Sequence, residues 1–312
     1  MTEYKIKLMT YNIGGGRKNL GSKFDAVLEI IKNESPDILA VQEAAIWKTL
    51  DGEQIDQPKM IYEAISPINH YFFGQTLEMR EDFNIGKELF VHGIFNSWEN
   101  WQQGNALFSR WPFIRLDASD KLALPQNIPL YKVLYTGNRE TDPRYIILSK
   151  VNMGFIKAYV LITHLTTLYG ERGTKEIPKK REEAQVIRWK QCERIYELTR
   201  EYILEKNELC FLMGDFNAID NEPAISTTLE KKAGFTRLLP KNKIGTHLKL
   251  DSPVDHIFIF PGNHHIKYNC KILDDEFSAS DHNPVIANIN IFDSDSEVFK
   301  NKGKGVFRED KE

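Results

Sequence analysis

Short apolar runs that stop on a carboxylate, a carboxamide or an imidazole recur along this chain, and no other feature restricts its fold as strongly. Such runs read as buried strands, and their polar ends then collect at the margin of a sheet. The clearest is Phe211-Leu212-Met213-Gly214-Asp215-Phe216-Asn217-Ala218-Ile219-Asp220. Leu209 to Met213 reads as a strand that breaks at Gly214, and the following turn presents a carboxylate and a carboxamide two residues apart. On extended backbone, side chains at i and i+2 point the same way, so Asp215 and Asn217 can serve one bound atom. For a phosphate ester under attack, the carboxylate aligns and deprotonates the water while the amide steadies the oxygens. The bland alternative is an Asx turn at a strand end, which carries no chemistry.

Other runs end in the same way. Lys5 to Tyr11 alternates like a strand, closes on Asn12 and loosens into Gly14-Gly15-Gly16. No GxxxxGKS or GxGxxG pattern accompanies these glycines, which argues against a nucleotide-binding loop. Phe24 to Lys32 has helical spacing and stops at Ser35-Pro36. Asp37 to Glu43 is a buried strand finishing on a carboxylate, which is costly to bury unless a cation meets it. Gly104 to Arg110 is a strand ended by Trp111-Pro112. Arg144 to Val151 and Phe155 to Thr163 form a hairpin around Asn152-Met153-Gly154, and its second arm closes on His164. A histidine there is often structural, yet imidazole can also donate to a phosphate oxygen. Glu182 to Leu204 reads as one amphipathic helix, and Pro223 to Lys232 as a short one. Val254 to Phe260 is a strand with Asp255 at its start, and Val285 to Ile291 follows Ser280-Asp281-His282-Asn283-Pro284.

Two stretches resist this reading. Residues 47–103 interleave Tyr62, Tyr71, Phe72, Phe73, Phe83, Phe90, Phe95, Trp98 and Trp101 with polar residues, and are expected to hold a strand near His70 to Gly74 and a long loop. Such aromatics more often pack beneath a loop than stack on a ligand. Residues 117–143 are a second excursion, rich in Pro, Asn and Asp. Lys175, Lys179, Lys180 and Arg181 form a basic turn that could touch phosphates, although a solvated loop accounts for it better.

The 312 residues hold 41% hydrophobic and 27% charged side chains, the proportions of an ordinary globular protein. Met1 to Asn12 lacks the features of a secretory signal and no apolar run is long enough to span a bilayer, so a cytoplasmic protein is expected. Cys192, Cys210 and Cys270 are scattered outside any metal-binding spacing, which fits reduced structural residues. The formal charge of −3 supplies no overall basic field for holding nucleic acid, so local patches would have to do so.

Taken together, Thr10-Tyr11-Asn12, Val41-Gln42-Glu43, Gly104 to Arg110, Thr163-His164-Leu165, Gly214-Asp215-Phe216-Asn217, Val254-Asp255-His256-Ile257 and Ser280-Asp281-His282 resemble the successive motifs of the endonuclease/exonuclease/phosphatase superfamily, the fold of pancreatic deoxyribonuclease. The resemblance implies an α/β (α+β) four-layer sandwich over residues 1–292, with two mixed β-sheets packed face to face, helices outside and the site at one edge. Residues 293–312 are then a charged, disordered tail. It further implies a metal site of Glu43, Asn12 and Asp281 for Mg²⁺ or Mn²⁺, and oxygen ligands without cysteine suit such hard cations. His164 would bind a non-bridging oxygen, Asp215 and Asn217 would position nucleophile and phosphoryl oxygens, and Asp255 would orient His282.

The implied activity is metal-dependent hydrolysis of a phosphoester by in-line attack of water, with no covalent intermediate. A nuclease is the leading expectation, endo- or exonuclease. A sphingomyelinase-like or inositol/small-molecule phosphodiesterase or phosphatase is the alternative. His164 resembles the deoxyribonuclease and sphingomyelinase branches more than the abasic-site endonucleases, where asparagine is usual. A catalytically silent binding protein would be expected to lack site residues, and all eight are present. Monomer is the default state.

Overall fold

The computed structural model describes residues 3–14, 20–48, 52–79, 101–131, 141–172, 176–242, 244–274, 277–292 and 305–309. In chain order its strands are β1 (Glu3–Asn12), β2 (Ile38–Lys48), β3 (Gln54–Asp56), β4 (His70–Met79), β5 (Trp101–Ser109), β6 (Phe113–Ile114), β7 (Gln126–Pro129), β8 (Tyr145–Asn152), β9 (Lys157–His164), β10 (Cys210–Asp215), β11 (Thr236–Arg237), β12 (Asp255–Phe260), β13 (His265–Ile272), β14 (Val285–Phe292) and β15 (Gly305–Arg308). The helices are α1 (Leu20–Glu34), α2 (Gln57–Ala64) and α3 (Pro178–Thr199). α3 runs on into a π-helical turn at Arg200–Leu204, and a further π-helical segment covers Ala224–Lys232.

One sheet is ordered β15-β13-β14-β1-β2-β5-β4, with β3 on β2; the other is ordered β11-β12-β10-β9-β8-β6, with β7 also on β8. Their centres are built alike. β1 has a parallel neighbour in β2 and an antiparallel one in β14, while β10 has a parallel neighbour in β9 and an antiparallel one in β12. In each sheet, therefore, two strands end at the margin where a third begins.

Period-two alternation sorts the side chains into layers. Ile6, Leu8, Ile38 and Ala40 of the first sheet pack against Val160, Ile162, Phe211, Met213 and Ile257 of the second. The outer face of the first sheet, with Met9, Tyr11, Leu39 and Val41, is covered by Val27 and Ile31 of α1 and Ile61 of α2. That of the second, with Tyr159, Leu161, Cys210 and Leu212, is covered by Cys192, Ile195 and Leu198 of α3 and by Ile225 and Leu229. Each buried Val, Leu, Ile, Met or Phe among them contributes about 1.5–3 kcal/mol. This is the expected four-layer sandwich of two mixed sheets with helices outside.

Several boundaries differ from the sequence reading. β13 was not anticipated, although its buried Ile266, Tyr268, Cys270 and Ile272 alternate cleanly. Much of 47–103 is regular: β2 extends to Lys48, and β3, α2 and the full β4 follow. Its described aromatics pack as expected, Tyr71 stacking on Phe108 and Trp101 lying against Trp47. Phe83, Phe90, Phe95 and Trp98 lie outside the described residues, as does Lys175. Within the supposed tail, Gly305–Arg308 adds a parallel strand to β13, because backbone pairing at an open sheet edge does not require an apolar sequence. No helix of the described residues is long and apolar enough to cross a membrane.

Candidate active site

Register across the second sheet sets three site residues side by side. Asp215 at the end of β10 pairs with His164 at the end of β9 and with Asp255 at the start of β12. Laterally paired residues point to the same face, so the three form one row. His256, next along β12, points the other way and bonds Ala218 O through Nε2 at 2.9 Å. β10 does not break at Gly214 but runs through it. A Cβ at Gly214, where φ is 151°, would lie 1.9 Å from Thr163 O, so glycine is what lets β9 and β10 close up here.

Asn217 reaches the site by a different route from the one expected. Its φ is 49°, so it is not on extended backbone. Its N–H donates to Asp215 Oδ1 at 2.8 Å, which is the Asx turn, and the side chain folds back with Nδ2 on Leu165 O at 3.1 Å. The turn and the site are the same structure.

The first sheet approaches from the other side. Asn12 ends β1 and offers Nδ2 to Asp215 Oδ2 at 3.0 Å and to Glu43 Oε1 at 3.4 Å, while its Oδ1 accepts from Gly14 N at 3.0 Å. Glu43 is not past the end of β2 but inside it. β2 carries one extra residue relative to β5 between Val41 and Ala44, and Glu43 adopts φ 56° in that bulge. A non-glycine residue held there is strained, and the bulge turns its carboxylate toward the cleft. There it meets Gln103 Nε2 at 3.2 Å and His164 Nε2 at 4.0 Å.

His282 sits in the turn before β14. Its Nδ1 is 2.8 Å from Asp255 Oδ2 and its Nε2 is 3.8 Å from Asp215 Oδ2. Ser280 Oγ ties this turn to β1 through Asn12 O at 2.8 Å, and Leu248 N ties Leu248 to Asp281 O at 2.9 Å. Asp281 is exposed at the rim. The structure thus gathers all eight sequence-derived residues at one margin. It also adds some that sequence reasoning missed. Arg172 lines the cleft, as does His247, whose ring packs edge-on to His282 at 4.8 Å. Two of the basic residues singled out nearby are paired with acids outside the cleft: Arg181 with Glu176 at 2.7 Å and Lys180 with Glu183 at 3.6 Å. For Arg172 no local pattern in the sequence marks the role.

The imidazoles of His164 and His282 titrate in opposite directions. Burial, with Arg144 adding to it, pushes His164 down to about 3, so its ring is neutral. Burial also opposes charge on His282, but the carboxylates of Asp255 and Asp215 more than offset it and carry the pKa up to about 10. Nδ1–H of His282 therefore donates to Asp255. Asp215, Asp255 and His282 each offer an atom within 4.8 Å of the others, a grouping accounted for by this Asp-His bond. The residues for a hard cation lie beside it, where the carboxylates of Glu43 and Asp215 converge on the single amide of Asn12. Glu43, Asn12 and, at the rim, Asp281 each carry a side-chain oxygen and no cysteine is near, so this set fits a hard cation such as Mg²⁺ or Mn²⁺.

The sequence profile of the Endonuclease/Exonuclease/phosphatase family matches residues 9–282. No curated protein matches in sequence. Among solved structures, an endonuclease/exonuclease/phosphatase protein from Beutenbergia cavernae aligns with a TM-score of 0.65 at 17% identity, over 91% of this chain and 71% of that one. The human Nocturnin catalytic domain with bound sulfate anion aligns with a TM-score of 0.58 at 17% identity, over 92% and 95%. TDP2 from Danio rerio, humanized by 14 mutations, gives 0.56 at 13% identity, over 91% and 98%. At these identities the likeness is one of fold.

Proposed function

The chain belongs to the endonuclease/exonuclease/phosphatase family, and from that premise we propose that it is a divalent-metal-dependent phosphodiesterase acting on nucleic acid by in-line attack of water. What supports this is one observation: side chains from β1, β2, β9, β10 and the turn before β14 are linked by contacts of 3.0–4.0 Å centred on Asp215. A Mg²⁺ or Mn²⁺ ion held by Glu43, with Asn12 beside it and Asp281 assisting, would neutralise charge on the phosphoryl oxygens.

The remaining steps belong to the chain's own residues. Asp215 aligns the attacking water and accepts its proton, while its Oδ1 stays anchored on Asn217 N. Neutral His164 donates Nε2–H to a non-bridging oxygen. Imidazolium His282, held by Asp255, offsets the charge that builds on phosphorus's oxygens in the transition state. Asn217 braces the turn that carries Asp215. The sulfate held by the Nocturnin catalytic domain is in keeping with an anion-binding fold.

The exposed side chains of Tyr169 and Leu248 favour a second reading, in which the organic group is a lipid or another small phosphodiester, as in a sphingomyelinase-like enzyme. We place the protein in the reducing cytoplasm as a monomer, in line with its free, buried cysteines. Purified protein with Mg²⁺ is expected to cleave plasmid, single-stranded DNA or RNA, and to stop in EDTA. Turnover of sphingomyelin or inositol phosphates alone would favour the second reading. Inertness toward every substrate at several Mg²⁺ and Mn²⁺ concentrations would overturn both.

A further inference from the structure

The loop that leaves β9 after His164 is clamped from beneath by a buried guanidinium. Arg188 of α3, 2% exposed, donates Nη1 to Glu171 Oε2 at 2.9 Å, to Glu171 Oε1 at 3.2 Å and to Thr166 O at 3.1 Å. Its Nε and Nη2 each reach an oxygen of Glu222 at 2.9 Å. Glu171 is already served on both oxygens, yet it also faces Arg172 Nη2 at 2.6 Å. The same Nη2 donates to Asn217 Oδ1 at 2.6 Å. An unbroken series of contacts therefore runs from the core to the carboxylate of Asp215, through Arg188, Glu171, Arg172 and Asn217.

The other terminal nitrogen of the Arg172 guanidinium, Nη1, makes no hydrogen bond among the described residues, and Arg172 lines the cleft together with His164, Asp215 and His282. A guanidinium is planar, so fixing Nη2 also aims Nη1. A pair with only a structural task would end at Glu171, whose carboxylate Arg188 already satisfies.

We propose that the Arg188–Glu171 pair is a positioning device for this centre, holding Arg172 so that Nη2 of its guanidinium fixes Asn217 and Nη1 binds a non-bridging oxygen of the substrate phosphate. The proposal rests on the phosphodiesterase reading above. Arg172 touches substrate, and Arg188 and Glu171 act through it.

The test uses the full chain and two readouts: kcat and KM for Mg²⁺-dependent phosphodiester hydrolysis, and calorimetric binding of inorganic phosphate. Arg172→Ala is expected to weaken phosphate binding about tenfold and to lower kcat/KM about 10- to 100-fold, the range for a hydrogen bond to a charged group. Glu171→Gln should lower both about fivefold or more when Arg172 is present, and neither when Arg172 is already alanine. Additive losses in the double variant, or wild-type binding and rates in Glu171→Gln, overturn the proposal.

Because Glu171→Gln can fail to fold by leaving Arg188 half-matched, Arg172→Lys provides an independent arm. It keeps the charge but lacks the fork, so KM should be intermediate while kcat falls as far as in Arg172→Ala; wild-type kcat in the lysine variant overturns the proposal. If the wild-type chain hydrolyses no phosphodiester but phosphate binding keeps the predicted pattern, the activity reading falls and the positioning role stands.

Discussion

Two buried groups of carboxylates lie one loop apart in this protein, and they are neutralised by different means. Behind the cleft, Glu171 and Glu222 are met by Arg188, with Arg172 at Glu171, through short bonds that occupy both oxygens of each acid. At the margin, Asp215 and Asp255 are met by amides, imidazoles and a backbone N–H at distances from 2.8 to 3.8 Å. Guanidinium does not release its proton, so the first group is fixed in composition. Imidazole and carboxylate exchange protons, and carboxylate oxygens accept a cation, so the second is built to change state. The difference separates a group suited to holding shape from one suited to chemistry, although both consist of buried acids.

That contrast is open to direct attack. The largest effect is expected from Asp215→Asn or His282→Ala, each lowering kcat about 10²- to 10⁴-fold with the fold intact by circular dichroism; near-normal rates would place the chemistry elsewhere. Arg188→Met should instead cost about 3–5 kcal/mol of stability in urea denaturation, since it strands two buried acids, whereas Asp215→Asn should cost far less. Equal losses in the two would erase the distinction. Glu43→Gln should raise the Mg²⁺ concentration giving half-maximal rate about 10- to 100-fold and leave the saturated rate less affected. Mg²⁺ at a hundred times its Kd should add about 2.7 kcal/mol to wild-type stability and little to Glu43→Gln, as read by the melting temperature.

The smallest effect is a slope with pH, measured in EDTA. The pKa of His282 is raised from 6.5 to about 10 on folding, so the stability it lends is complete below about pH 6.5 and is lost as pH rises toward 10. One proton sets the limit at about 1.4 kcal/mol per pH unit, and this component should vanish in His282→Ala.

The layers and the margin were legible because they depend on local pattern. Runs such as Cys210 to Met213 and Val160 to Ile162 are apolar throughout, as strands covered on both faces must be, and their polar ends mark the margin. β13 was legible in principle, since Ile266, Tyr268, Cys270 and Ile272 alternate with Lys267, Asn269 and Lys271. Glu43 reaches the margin by a route the sequence does not show: its position depends on a bulge, and an extra residue in a ladder shows only against the partner strand. Asn217 was assigned from an extended geometry that its left-handed backbone does not have. Arg172 and Arg188 could not be read at all, because Arg188 acts through residues 17 and 34 positions away whose meeting is decided by the packing of α3.

The kink at Glu43 also says something about how this chain could fail. Ladder pairs before it, such as Val41 with Ala106, and after it, such as Ala44 with Gly104, differ by one residue. Deleting that single amino acid would let both halves of β2 fall into step with β5, relieve a disfavoured backbone torsion and straighten the ribbon. The shortened protein would be more regular, would melt no earlier than its parent, and would be inert. A screen that rewarded thermal resistance alone would select it, since regularity and turnover pull in opposite directions at this one position.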